Sequence, residues 1–238
     1  MSDGSPVLLL TRPRAGSEAF LAALRAIVPV PHVVVSPVIR IVPSGLKPDF
    51  SGQAGVILTS ANAARSIEAA NGLPAYCVGQ RTTEVASAQG FQARFCGENA
   101  DALVASLLDL RPPAPLVHLR GDHARGDIAA RLTEGGVPTS EAVLYRQEAC
   151  ALTDEARALL DGEGPVILPL FSPRSADIVA GQLRPKAPVD VVAISRAVAD
   201  HAGALTPRRI IIAATPDQMA VCQEVASLYR KGTPLEGG

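Results

Sequence analysis

The chain has 238 residues, 47% of them hydrophobic and 19% charged, with a net charge of −1. That balance fits a globular protein with ample core, built as one large or two small domains. It excludes a basic nucleic-acid-binding surface, and 3 Tyr, 5 Phe and no Trp leave few platforms on which bases could stack. No apolar run approaches a membrane span, and the apolar start is too short for a signal peptide, so no membrane contact and a cytoplasmic location are expected.

In chain order, Val7 to Leu10 reads as a buried strand ending in Thr11-Arg12-Pro13-Arg14. A helix from about Ala15 to Ala26 sets Phe20, Leu21, Leu24 and Ile27 at helical spacing, and His32 to Val35 is a second strand. Val38 to Val42 alternates around Arg40 between prolines, as a connector does. Val56, Ile57 and Leu58 then stop at Thr59-Ser60-Ala61-Asn62, and an alanine-rich helical run from Ala63 to Ala70 follows. A hydroxyl-bearing turn between a strand and a helix presents backbone N–H groups and the positive end of the helix at a sheet's carboxyl edge.

The alternation continues through strands at Ala75–Val78, Gln92–Phe95, Leu116–Leu119 and Thr139–Tyr145, with helices beginning near Gln80, Ala100 and Ala124. Such a pattern predicts a parallel sheet covered on both faces. Leu144 to Glu148 continues as a second connector able to pair with Val38–Val42. Beyond it, Thr153 opens a helix to Leu160. Strands follow at Val166–Leu170, Val189–Ile194 and Arg209–Ala213, with helices starting near Ser172 and Arg196. Thr215-Pro216-Asp217-Gln218 starts the last helix, with Thr215 as its N-cap, and this helix runs to about Tyr229.

The later segment repeats the middle one: Ser60 aligns with Ser172, and Gly79 with Ser195. Three late strands are too few for a covered parallel sheet, and adding the first two makes five. The expected fold is therefore α/β, with two similar α/β lobes of parallel sheet, a two-stranded connector and a cleft between lobes. One domain is discontinuous, 1–37 plus 149–238, and the other, 38–148, is inserted into it.

No dinucleotide, Walker A, HExxH or GxSxG pattern occurs. Cys77, Cys96, Cys150 and Cys222 stand apart and read as packing thiols, and no metal-ligand spacing exists. His32 and His118 lie in apolar strands and read as core residues, His201 as a helix-face residue, and His123 as either a ligand contact or an exposed turn. The chemistry-bearing pattern is instead the set of turns after strands. These hold Thr11 and Arg12; Thr59, Ser60, Ala61 and Asn62; Gly79, Thr82 and Thr83; Gly121 and Asp122; Ser172, Pro173 and Ser175; Ser195 and Arg196. Any one of them is explained as a helix cap contributing about 1 kcal/mol. As a set they suit an anionic ligand, a polycarboxylate, held by helix N-termini rather than by a basic surface. Tyr145 either covers the joint with the connector or directs its hydroxyl toward that ligand.

The pieces LLLTRPR (8–14), ILTSANAAR (57–65), YCVGQRTTEVASAQGF (76–91), LRGDHARGDIAARLTEGG (119–136), VLYR (143–146) and LFSPRSA (170–176), in this order, resemble the uroporphyrinogen-III synthase family. The resemblance implies two α/β lobes joined by a ladder and an enzyme without a cofactor. It implies hydroxymethylbilane as substrate, with Tyr145 as the candidate catalytic donor. A monomer in transient contact with the upstream deaminase is expected. One departure stands out: where the family often has Ile-Gly-x-x-Thr-Ala, this chain has Ile194-Ser195-Arg196-Ala197-Val198-Ala199. That leaves open a synthase-like paralogue without activity, and a two-lobed sensor of an anionic metabolite stands beside it as a separate reading.

Overall fold

The computed structural model describes residues 5–123 and 126–232. The chain starts with β1 (Val7–Leu10), α1 (Arg14–Arg25), β2 (Val33–Val35) and β3 (Ile39–Pro43). It continues through β4 (Gly55–Leu58), α2 (Ala61–Arg65), β5 (Pro74–Cys77), α3 (Gln80–Ala88), β6 (Gln92–Phe95) and α4 (Ala100–Leu110). Next come β7 (Leu116–Gly121), α5 (Ile128–Glu134), β8 (Thr139–Ala149) and α6 (Asp154–Asp161). The last part holds β9 (Val166–Leu170), α7 (Pro173–Ala180), β10 (Val189–Ala193), α8 (Arg196–Ala202), β11 (Arg209–Ile212) and α9 (Gln218–Gly232).

Two compact units result, Met1–Arg40 with Ala149–Gly238, and Ile41–Glu148. The first is built on a five-stranded parallel sheet ordered β11-β10-β9-β1-β2. The second is built on the order β3-β8-β7-β4-β5-β6, parallel from β8 through β6. β3 runs against β8: Ser44 N–H donates to the Leu144 carbonyl, and Cys150 N–H to the Val38 carbonyl. The long β8 thus serves first as a sheet strand and then as half of the antiparallel ladder.

Counted from β4, the parallel strands of the second unit lie in the order fifth, fourth, first, second, third. Counted from β9 and on through β1 and β2, the first unit has the same order. The two sheets are one arrangement, entered by the chain at different strands. Ser60 and Ser172 both follow the central strand of their sheet.

Burial on both faces explains the continuous apolar runs. In β4, Val56 and Leu58 pack with Ala63, Ala64 and Leu119, while Ile57 faces the other way onto Leu103, Leu107 and Leu132. In the first unit Leu8, Leu10, Phe20 and Leu24 meet Val221 and Val225 of α9. Phe20 is edge-on to Phe171, with ring centroids 5.3 Å apart.

Four expectations are corrected. The helical run expected to reach Ala70 stops at Arg65: Ser66 Oγ donates back to the Asn62 carbonyl, and Ile67 N–H bonds to Ala64 in a tightened last turn. Ile67 and Ala70 then pack as loop residues in the core. The helix expected near Ala124, a position outside the described residues, begins at Ile128 instead, because Gly126 (φ 95°) and Asp127 (φ 44°) are left-handed. The cap of α9 is Asp217 rather than Thr215. Its carboxylate accepts the Ala220 N–H at 2.9 Å and the Thr215 hydroxyl, which hold its pKa below the usual range. His32, expected in the core, is exposed just before β2.

Candidate functional site

In the second unit the chain leaves β4 toward β5 on one side and β7 toward β8 on the other. Between β4 and β7 the sheet therefore has its switch point, the place where open α/β sheets take ligands. The two turns that flank it hold Thr59-Ser60-Ala61-Asn62 and Gly121-Asp122.

Ser60 is extended (φ −151°) and caps α2, its Oγ accepting the Asn62 N–H at 3.1 Å. Tyr145 lies on β8 beside β7, with the Ser60 hydroxyl in its neighbourhood. The tyrosine is 3% exposed, and burial, with the nearby Asp122 charge, pushes its pKa up despite the Ser60 hydroxyl close by. It remains a neutral phenol at physiological pH. The ring lies close against a residue with no side chain, since a Cβ on Gly121 would come within 2.7 Å of Tyr145 Cε2 and Cζ. The β7–β8 register shifts at this point, between Arg120 and Gly121. Asp122 N–H donates to the Tyr145 carbonyl (3.0 Å), and Asp122 Oδ1 accepts from His123 N–H (2.8 Å) and Gln147 N–H (3.2 Å). Asp122 thus fastens its turn to β8, and its negative charge disfavours an anion at that spot.

After β5, next to β4, Gly79 (φ 77°) turns the chain into α3. A left-handed residue is needed there, and glycine adopts it without cost. Thr83 Oγ1 donates to the Gly79 carbonyl at 3.1 Å, and Thr82 is 7% exposed. Beside α2 lies a cavity of about 680 Å³, walled by Ile41, Phe50, Ile67 and Leu144, with Asn62 and the cation of Arg65 among its lining. The predicted residues of the second unit therefore gather around one sheet edge.

The first unit has the corresponding edge between β1 and β9. Arg12 lies 4.0 Å from the Phe171 ring centroid and donates to Gln218 Oε1 at 3.0 Å, so its guanidinium is packed against its own unit. Thr11 is 1% exposed. Ser172 caps α7 through the Ser175 N–H (3.1 Å), Pro173 is the first helical residue, and the Ser172 and Ser175 hydroxyls are 2.8 Å apart. Ser195 caps α8 through the Val198 N–H, and Arg196 pairs with Asp200 on the same helix at 3.0 Å. Val198 is 1% exposed, which accounts for an apolar residue where the resemblance led us to expect Thr.

A family model described as uroporphyrinogen-III synthase HemD matches residues 31–223. The chain belongs to the uroporphyrinogen-III synthase family. Compared by sequence, no curated protein matches this member. Its fold is similar to that of uroporphyrinogen-III synthetase from Helicobacter pylori 26695, with a TM-score of 0.68, 18% identity and coverage of 94% of this chain and 99% of that one. A mutant uroporphyrinogen III synthase from the extremely thermophilic bacterium Thermus thermophilus also matches, with a TM-score of 0.47, 14% identity and coverage of 94% and 99%.

Two parts of the candidate site were not legible in the sequence. His118 on β7 is buried as expected, yet it contacts Thr59 (Nε2 to Oγ1, 3.2 Å) and faces Glu141 of β8 (Nδ1 to Oε1, 3.6 Å). Those partners are joined by sheet register alone, Ile57↔His118↔Glu141, which no local spacing announces. The cavity beside α2 is walled partly by the loop after β3, whose proline and glycine content marked only a connection. Among the described residues, no group of His, Cys, Asp and Glu could hold a metal ion, and no helix is long and apolar enough to cross a membrane. The Cys77 and Cys222 thiols are buried, and burial pushes their pKa up to about 12 and about 11.

Proposed function

We propose that the protein is a uroporphyrinogen-III synthase, a lyase that closes hydroxymethylbilane with loss of water and inversion of ring D. The observation that carries this reading is the family match over residues 31–223, in a chain whose polar turns gather at a sheet's switch point. The hydroxymethyl group departs as water and leaves an azafulvene electrophile. The substituted carbon of ring D attacks it to give a spiro intermediate, which fragments and recloses with the ring turned. No electrons enter or leave overall, and no cofactor is called for. A monomer in the cytoplasm, supplied by the upstream deaminase, completes the reading.

The substrate carries eight carboxylates on four pyrroles, as the resemblance implies. In this reading the N–H groups opening α2 and α3, with the Ser60, Asn62 and Thr82 side chains, take carboxylates, and the cavity beside α2 takes one ring with a carboxylate on Arg65. Holding a flexible bilane in one conformation is a positioning effect, the kind that moves a rate without an acid or base. Tyr145 contributes as a neutral phenol that hydrogen-bonds the substrate, rather than by giving up its proton.

Mixing the protein with freshly generated hydroxymethylbilane, oxidising the products and separating the porphyrin isomers tests the reaction. Type III will predominate with protein and type I without it; type I in both would point to the inactive paralogue or the sensor. Tyr145→Phe removes one hydrogen bond, about 1 kcal/mol, so kcat will fall roughly fivefold while KM stays within about twofold. An unaltered rate would take the hydroxyl out of the mechanism.

A further inference from the structure

A chain of side chains behind the switch point ties its two turns together. From Thr59, after β4, it runs through His118 and Glu141 to Arg120, which closes it on the turn after β7. Glu141 Oε2 accepts from Arg120 Nε (2.9 Å) and Nη2 (2.7 Å), and Arg120 Nη1 donates to the carbonyls of Gly121 (3.0 Å) and Asp122 (3.3 Å). His118 is 1% exposed in the middle of it.

We infer that His118 is a positioning residue that takes the hydroxyl proton of Thr59 into a hydrogen bond, so that Thr59 offers only oxygen lone pairs at the β4–α2 turn and accepts an N–H of the substrate. A neutral imidazole has one N–H and one lone pair. The Glu141 carboxylate lies 3.6 Å from Nδ1, too far for a hydrogen bond but near enough to decide between tautomers, because the alternative sets a lone pair against an anion. The proton therefore sits on Nδ1. Nε2 is left as the acceptor, 3.2 Å from the Thr59 oxygen, and only the Thr59 hydroxyl can donate between them. Burial keeps the ring neutral. It pushes the pKa down to about 4, with Glu141 pulling up and Arg120 pulling down, so the assignment holds at physiological pH.

The consequence is a division of labour at one sheet edge. The amides of the turns are donors and suit carboxylates. Thr59, with its proton engaged, repels a carboxylate oxygen and suits a pyrrole N–H, the only strong donor that a bilane carries in each ring. Such a point registers which way a ring lies, the variable that distinguishes the two isomers. This substrate assignment rests on the proposed function; the tautomer does not.

The test has two arms. In full-length protein with ¹⁵N-labelled histidine, long-range ¹H–¹⁵N correlation will show a protonated Nδ1 and an unprotonated Nε2 for His118, the signals being assigned by their loss in His118→Gln. A protonated Nε2 overturns the inference. In the isomer assay, Thr59→Val will raise KM roughly tenfold and increase the type I share, while Thr59→Ser stays near wild type. His118→Phe, used where its melting curve shows it folded, will do as Thr59→Val does. His118→Gln, whose amide oxygen can stand in for Nε2, will recover part of the loss. Type III from the wild type together with unchanged KM and isomer ratio in Thr59→Val overturns this inference alone. Type I from the wild type overturns the proposed function and the substrate half of the inference, and leaves the tautomer to the spectrum.

Discussion

Gly121→Ala will destabilise the second unit by about 2 kcal/mol and remove most of the isomer-specific activity. A Cβ at this position falls 2.7 Å from two ring carbons of Tyr145 and 3.0 Å from its hydroxyl oxygen. Backbone conformation is not the obstacle, because Gly121 is absent from the left-handed positions among the described residues. The ring must move, and it has nowhere to go: it is 3% exposed and packed in one core cluster with Leu58, Leu119 and Leu144. Overpacking of this kind costs about 1–3 kcal/mol. Moving the ring also presses on its surroundings near Ser60, the cap of α2, so the distortion reaches the turn proposed to hold the substrate.

Thermal melts and the isomer assay read the two effects separately. At about 2–4 °C per kcal/mol for a chain of this size, the melting temperature will fall by roughly 4–8 °C. A double-mutant cycle supplies the stronger test. Tyr145→Ala alone leaves a cavity, and the Gly121→Ala methyl partly fills it, so the pair will cost at least about 1 kcal/mol less than the sum of the two. Strict additivity would mean that the ring and the glycine are not in contact.

What the sequence made legible is what period and chemistry carry locally. Val56, Ile57 and Leu58 before Thr59-Ser60 announce a buried strand and a capped helix, and both are found. Counting strands shows that three late ones need the first two, and the sheet order β11-β10-β9-β1-β2 meets that need. Ser60, Ser172 and Ser195 were readable as caps because a cap acts on the next few residues. The length of α2 was not readable. Alanine favours helix, but a single Ser66 bond to the Asn62 carbonyl and the burial of Ile67 in the core outweigh a few tenths of a kcal/mol per residue. The pairing of His118 with Thr59 was not readable either, since register across three strands decides it. Nor was the pairing of Asp190, an acid within the apolar strand Val189–Ala193, with Arg208 and Arg209.

That acid gives the second large effect. Asp190 is 3% exposed and accepts from Arg208 Nε at 2.8 Å and Arg209 Nη2 at 2.7 Å, with a second bond from Arg208, so one carboxylate joins β10 to β11 and the turn before it. Burial by itself would push its pKa up; the two guanidiniums outweigh that and hold it below the usual carboxylate range. Asp190→Ala strands two arginines beside each other. Both are about half exposed and can turn toward water, so the loss will be about 2 kcal/mol, below the roughly 3–5 found when a fully buried pair is broken. The pH dependence separates this pair from the rest of the molecule. Because Asp190 is depressed in the folded state, its contribution is complete above the unfolded value of about 4 and is lost as the pH falls through the lower folded value. The stability gap between wild type and Asp190→Ala will therefore be flat from about pH 7 down to about pH 4, and close below it. His118 acts in the window above. Its folded value of about 4 lies below the unfolded one of about 6.5, so the unfolded chain binds the proton first and stability declines between those two values. That decline belongs to the second unit and will persist in Asp190→Ala. A gap that instead narrowed between about pH 6.5 and 4 would show that a group other than Asp190 closes it.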